Sequence, residues 1–346
     1  MSPRDRSNIN LQHVPSYSLW PHRLMLVLFL TLVASEVSAY DIAAGSSHTC
    51  VLDDIGITCW GWNESEQLNV PAGLANPTVV VSGEAHNCAI GDNGVTCWGS
   101  GGNGRTSVPG GLVNPTHVAA GSRHSCAIDN VGVTCWGSSN FGQSTVPGGL
   151  LSPVAITTGE NHTCVIDFNG VSCWGRNNVG QLNVPGGLVN PTQLAAGYDH
   201  TCAIDDNGVT CWGASMEGQS TVPGGLVNPS ALTAAIYHTC AIDDSGVTCW
   251  GLTSYGASAV PSGLVNPSDI AAHSFHTCAI DDNGVTCWGD NQWGQSTVPS
   301  GLMFCQETGS CAPPVPSLSP WSASVLCIVL CGATAHALRG RRLLKA

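Results

Sequence analysis

The sequence predicts an all-β, seven-bladed β-propeller of 38-residue repeats, its ring closed by the N-terminal strand. Three observations carry that expectation. One phrase, most fully spelled His200-Thr201-Cys202-Ala203-Ile204-Asp205-Asp206-Asn207-Gly208-Val209-Thr210-Cys211-Trp212-Gly213, occurs seven times. Its copies are spaced 38 residues apart with no insertion, a period that marks a solenoid, propeller or repeat array. Short β-rich runs alternate with Asp/Asn/Gly and Pro/Gly turn signals, and nothing in the array has helical spacing.

Residues 1–39 read as a signal peptide. Arg23 precedes an uncharged run from Leu24 to Ala34, and Val37-Ser38-Ala39 supplies small residues for cleavage after Ala39. Eleven residues are too few to span a bilayer and suit a signal-peptide core. The array then occupies residues 40–302, a linker with a cysteine pair 303–314, and a tail 315–346.

Each unit begins with a short apolar strand such as Val118-Ala119-Ala120-Gly121. Two variable residues follow, then the repeated phrase, a variable loop, a segment like Gln143-Ser144-Thr145-Val146-Pro147 and a Gly-Gly-Leu-Val-Asn-Pro link. Four short strands per unit make one propeller blade. The last unit has no following Ala-Ala-Gly strand, so Asp41-Ile42-Ala43-Ala44-Gly45 is expected to complete the last blade and hide the open edges.

The hairpin turn fixes the cysteine chemistry. With Asp205 to Gly208 as the loop, Ile204 opposes Val209 and Cys202 opposes Cys211. Opposed residues of an antiparallel pair have Cα atoms about 4.5–5.5 Å apart, within disulfide range. The expected pairs are Cys50–Cys59, Cys88–Cys97, Cys126–Cys135, Cys164–Cys173, Cys202–Cys211, Cys240–Cys249 and Cys278–Cys287, with Cys305 and Cys311 as a further pair after the array. Zinc on His200, Cys202, Cys211 and their equivalents is the rival, but an oxidising compartment removes the thiolates it needs.

The Asp-Asp-Asn-Gly turns have two readings, calcium ligation and turn chemistry. Ile55 and Val131 stand where a ligand would be needed, so turn chemistry is preferred and neither metal nor cofactor is expected. The seven phased histidines, from His48 to His276, point to packing or hydrogen bonding rather than catalysis.

The array holds 20 acidic residues against three arginines and no lysine. Nucleic-acid binding draws its affinity from Lys and Arg neutralising phosphates, so it is excluded as a function class. The acidity favours cationic partners or keeps a Gly-rich surface soluble.

At the carboxyl end, Val315-Pro316-Ser317-Leu318 and Trp321 precede an uncharged stretch 322–338 and a basic cluster of Arg339, Arg341, Arg342 and Lys345. Seventeen residues make about 26 Å of helix, just enough to span a membrane. The tail resembles the IPTL-CTERM sorting signal of Gram-negative bacteria. That resemblance implies transient insertion in the inner membrane, recognition by a membrane sorting enzyme, and a cell-surface, outer-membrane or extracellular destination. A plain membrane anchor is the alternative.

With its Ala-Ala-Gly-x-x-His-Ser/Thr start, Gly-Val-x-Cys-Trp-Gly core and x-x-Gly-Gln segment, the array resembles the regulator-of-chromosome-condensation repeat. The short blades look most like secreted bacterial members, such as the propeller that inhibits β-lactamase. An exported acidic chain cannot meet the nuclear GTPase of the eukaryotic members, so their exchange activity is not carried over.

Against so regular a frame, the residues that vary become candidates for ligand binding: Trp62, Glu64, Arg123, Arg176, Tyr198, Met216, Tyr237, Tyr255, Phe275 and Trp293. Aromatic, Met and Arg side chains are those enriched in interface cores. The expected function is an exported, non-enzymatic binding or adhesion scaffold, monomeric, recognising a protein or other surface ligand. A propeller lyase or glycoside hydrolase is the alternative. It needs two convergent carboxylates, and the acids outside the frame (Glu64, Glu84, Glu160, Asp199, Glu217 and Asp290) are scattered in sequence. A structural surface protein is a third reading.

Overall fold

The computed structural model describes residues 40–305 and 311–312, with side chains through residue 304. The expected leader (1–39), sorting motif (315–321) and apolar helix (322–338) lie outside the described residues. Among those described, no helix is long and apolar enough to cross a membrane.

Seven antiparallel sheets follow one another along the chain, each of three strands in chain order. Blade 1 holds β1 (Asp41–Ala44), β2 (His48–Asp53) and β3 (Gly56–Gly61). Blade 2 holds β4 (Val79–Ser82), β5 (His86–Gly91) and β6 (Gly94–Gly99), and blade 3 holds β7 (His117–Ala120), β8 (His124–Ile128) and β9 (Val133–Gly137). Blade 4 comprises β10 (Ala155–Thr158), β11 (His162–Asp167) and β12 (Gly170–Gly175); blade 5 comprises β13 (Gln193–Ala196), β14 (His200–Asp205) and β15 (Gly208–Gly213). Blade 6 is β16 (Ala231–Ala234), β17 (His238–Asp243) and β18 (Gly246–Gly251), and blade 7 is β19 (Asp269–His273), β20 (His276–Asp281) and β21 (Gly284–Gly289). The first strands of all seven line one central channel of about 240 Å³. The protein is a seven-bladed β-propeller.

The middle strand of each blade is packed on both sides, and β14 is buried at all six positions. Small residues permit this. Cys202 and Ala203 are wholly buried, and blade 5 packs its Leu194, Ala203 and Trp212 against Cys164 and Ile166 of blade 4. The hairpin register is the expected one: Cys202 faces Cys211, Ile204 faces Val209 and Asp205 faces Gly208. All seven disulfides form inside their own hairpins, with Cα atoms 4.0–4.1 Å apart, closer than expected. Cys305 and Cys311 face each other across β22 (Phe304–Cys305) and β23 (Cys311–Ala312), but their side chains are outside the description.

Two expectations are corrected. The segment around Gln-Ser-Thr-Val-Pro is not a fourth strand. It folds as turns, with Thr145 N bonding Gly142 O, and the following proline has no N–H for a ladder. It fastens blades through side chains instead. Gln143 O accepts from Thr163 Oγ1 and from the Trp174 indole of the next blade, both at 2.9 Å.

The ring also closes differently. β1 is no spare strand. Seven inner strands serve seven hairpins, and β1 belongs to blade 1. It lies between β4 and β19, with Ile42 N donating to Asp269 of blade 7 at 3.1 Å. The last outer segment does the clasping. Gln295 O accepts from Thr49 Oγ1 and Trp60 Nε1 of blade 1, at 3.0 and 2.9 Å, and Met303 N donates to Asp53. Each outer segment grips the following blade, so the seventh must grip the first.

The seven histidines form a belt around the ring. Each is fully buried, and its Nε2 bonds a hydroxyl or amide oxygen in the next blade: His200 to Thr239 at 2.9 Å, His238 to Thr277 at 2.8 Å, His276 to Thr49 at 3.0 Å. The imidazole packs against the residue that follows the inner strand. A Cβ on Gly45 would stand 2.0 Å from the His48 ring. Glycine holds this place in blades 1–5, with Ala235 in blade 6 and His273 in blade 7.

Candidate functional site

Antiparallel order places the β1–β2 loop and the loop after β3 at the same end of every blade. In each blade a backbone hydrogen bond joins the two, as Trp62 N to Ser47 O and Asp290 N to Phe275 O. All ten candidate ligand residues belong to these loops and therefore share one face, here called the loop face. The opposite turn face carries the hairpin turns and the links between blades.

The loop face divides into two arcs. Over blades 6, 7 and 1 the aromatic candidates meet. Phe275 stacks on Tyr237 at 6.1 Å between ring centroids and touches Tyr255 at 4.8 Å, while Trp293 lies 6.4 Å from Trp62. Tyr255 and Trp293 remain 57 % and 54 % exposed, so these rings pack among themselves and still face solvent. Tyr255 also has a left-handed backbone, with φ of 61°, uncommon for a bulky residue and a feature that cluster at functional positions.

Over blades 2–5 the polar candidates meet. Arg176 pairs with Glu160 at 3.8 Å and lies over the Phe141 ring at 5.2 Å. Burial, a hydrogen bond to Glu160 and the neighbouring carboxylates push the Tyr198 phenol up to about 12, while exposed Arg123 acts in the opposite sense. Burial likewise raises Asp199, against the nearby Arg176. Arg105 replaces the usual glutamine, bonds Ser100 O and Ser122 O, and pairs with Glu84 at 3.7 Å. Glu64 and Met216 are exposed and belong to neither arc.

Phe141, Glu160 and Arg105 are site residues that the candidate set missed. Phe141 shares its repeat position with Tyr255 and Trp293, and that equivalence was the signal available for it.

The turn aspartates have structural work. Asp205 Oδ1 accepts from Asn207 N and Oδ2 from Val189 N of the link, at 2.9 and 2.8 Å. Asp129, Asp167, Asp243 and Asp281 clasp their links in the same way. Among the described residues no three His, Cys, Asp or Glu side chains converge to hold a metal ion. The nearest approach to a carboxylate pair is Asp41 with Asp269, at the turn-face end of the channel. Burial raises both above the ordinary carboxylate range, with the charge of Asp269 adding to the rise at Asp41, but their oxygens accept from the amides of Val80, Ile42 and Ile270 and fasten inner strands together.

Known proteins share this architecture. The family model described as Regulator of chromosome condensation (RCC1) repeat matches residues 40–67, 116–143, 154–181 and 192–219. The ectodomain of the Physcomitrella patens receptor kinase CR4 is similar at 24 % identity and a TM-score of 0.60, over 76 % of this chain and 75 % of its own. The CRINKLY WD40 ectodomain of the Arabidopsis thaliana receptor kinase ACR4 is similar at 23 % identity and 0.58, over 72 % and 96 %. Prp20p from Saccharomyces cerevisiae, characterised for its binding properties to Gsp1p and histones, is similar at 17 % and 0.57, over 64 % and 74 %. No curated protein sequence matches the chain. The matched repeats and these neighbours give the described chain the regulator-of-chromosome-condensation type of repeat fold.

Proposed function

We propose that this chain is an exported, non-enzymatic scaffold that binds a protein partner through the aromatic arc of its loop face. The observation that carries the reading is the meeting of partly exposed rings from separate loops, Tyr237 and Tyr255 on Phe275 and Trp293 beside Trp62. Aromatic anchors ringed by polar groups are what interface hot spots are made of. The fold supports the reading in kind, since Prp20p is a protein-binding propeller of the same type. Seven disulfides belong to an oxidising compartment. Residues 1–39 as the leader and 315–346 as a sorting signal for a membrane enzyme fit that address, and Cys305–Cys311 would add an eighth bridge. The enzyme reading is weaker because Asp199 and Asp290 are engaged by Gln181 and Gln295, while Glu84 and Glu160 are engaged by arginines.

A photo-crosslinking residue at Tyr255 or Trp293 of the native exported protein tests the proposal. Both positions are expected to capture one and the same protein, and Phe275→Ala to cut recovery about tenfold or more, the loss of a hot spot of about 2 kcal/mol. Equal capture from Val227, on the turn face, would contradict it.

A further inference from the structure

The turn face departs furthest from its repeat at blades 3 and 4. In blades 1, 2, 5, 6 and 7 the first residue of the hairpin turn is an aspartate. An asparagine of the preceding link donates to it in four of them, as Asn190 Nδ2 to Asp206 and Asn228 Nδ2 to Asp244, both at 2.7 Å. Blades 3 and 4 abandon this clasp. Asn130 and Phe168 occupy the aspartate's place, Val131 follows Asn130, and the link between the blades reads Leu151-Ser152-Pro153-Val154 where its neighbour reads Val189-Asn190-Pro191-Thr192.

These departures expose apolar surface. Phe168 is 84 % exposed, Val131 82 %, Val154 59 % and Leu151 51 %. They are contiguous. Phe168 N donates to Leu151 O at 2.8 Å, Val154 follows three residues on in the same link, and Val131 shares a cavity of about 410 Å³ with Leu150, Ser152 and Pro153. Local stability does not account for them. Ser152 keeps the left-handed φ of 49° that asparagine holds in the other five links, and asparagine tolerates that region better than serine. Contiguous exposed apolar patches rimmed by polar groups mark sites of association.

The flanks identify the occupant. Exposed turn aspartates stand in the blades on either side, Asp92 in blade 2 and Asp206 in blade 5, and all three arginines of the array lie on the loop face. A second copy of this face, or an anionic lipid surface, would meet like charge. We propose that the turn face of blades 3 and 4 docks a protein segment whose apolar side chains are flanked by lysine or arginine. The site lies on the opposite face from the aromatic arc and stands independently of the function proposed for it.

A labelled peptide of alternating Leu and Lys pairs, titrated into the full oxidised protein by fluorescence anisotropy, tests this. It is expected to bind, to weaken as salt rises, and to lose about tenfold in affinity when V131N, F168D and V154T together restore the residue types of the other blades. Val179→Ala, on the loop face, is expected to leave the peptide's affinity unchanged. Binding as tight by a Ser/Lys peptide would reduce the effect to charge alone, and binding as tight by a Leu/Glu peptide to greasiness alone. Either result, unaltered binding by the restored protein, or no binding of the Leu/Lys peptide, overturns the proposal. Should the restored protein fail to fold, amide exchange on the unsubstituted protein decides. Protection on peptide addition at 151–154 and 168 upholds the site, and protection confined to the loop face overturns it.

Discussion

Reduction of the seven hairpin disulfides is expected to unfold the propeller under conditions in which the oxidised protein is fully native. Each bridge closes a loop with a sequence separation of 9. The chain-entropy model gives about 2.7 kcal/mol for such a loop, and seven give an upper bound near 19. A domain's net stability is about 5–15 kcal/mol, so the bridges rival the whole. The composition makes them necessary. The middle strands bury Cys, Ala and Thr where other sheets bury larger apolar residues, and apart from Leu302 the largest fully buried side chains are histidines and glutamines. Denaturant unfolding with and without reductant measures the effect, and the double substitution Cys202→Ala/Cys211→Ala should cost about 2–3 kcal/mol by itself. An unchanged midpoint after full reduction would show that the packed blades suffice.

Acid is expected to destabilise the ring as steeply. Burial holds the belt imidazoles far below their ordinary 6.5, to about 4 for His48, His162 and His238 and about 3 for His124, His200 and His276. His86 shifts in the same direction. The folded protein therefore stays unprotonated while the unfolded chain takes up protons below about pH 6.5, and stability falls as pH drops from there towards 4. At pH 5 each of these six rings, and His273 likewise held at about 4, contributes about 2 kcal/mol of loss, the seven together about 14. Asp41 and Asp269 titrate in the opposite sense, since their raised values stabilise the folded state at low pH and that contribution fades as pH rises, but they are two groups against eight buried imidazoles. Denaturant midpoints of the oxidised protein between pH 7.5 and 4.5 should fall with a slope reporting a net uptake of about six protons on unfolding, the buried imidazoles less the two carboxylates. A flat profile would mean that the belt is hydrated or charged.

These two effects come from the part of the fold that the sequence states most openly. A hairpin with Cys202 nine residues before Cys211 and a tight turn between them admits one register, and seven copies leave little room for another reading. The phase of the repeat was less legible. Periodicity alone does not say whether the segment at Gln143 belongs to its own blade or to the next, and only the bonds from Thr163 and Trp174 to Gln143 O decide it. That ambiguity is why β1 read as a spare strand. On the loop face, chain order was enough to nominate Tyr255, Phe275 and Trp293, but their convergence into one arc depends on the curvature of the ring. The patch at Phe168 was visible as a departure from the Asp-Asn-Gly turn, yet a single apolar turn residue carries no meaning until Leu151 and Val154 are placed beside it.

Peptide mapping of the native protein under non-reducing conditions tests the central claim most directly, because a ring of self-stapled blades fixes every pairing. Seven bridges are predicted within the propeller, each joining cysteines nine residues apart, besides the proposed Cys305–Cys311. One bridge between blades, or free thiols at these fourteen positions, would contradict it.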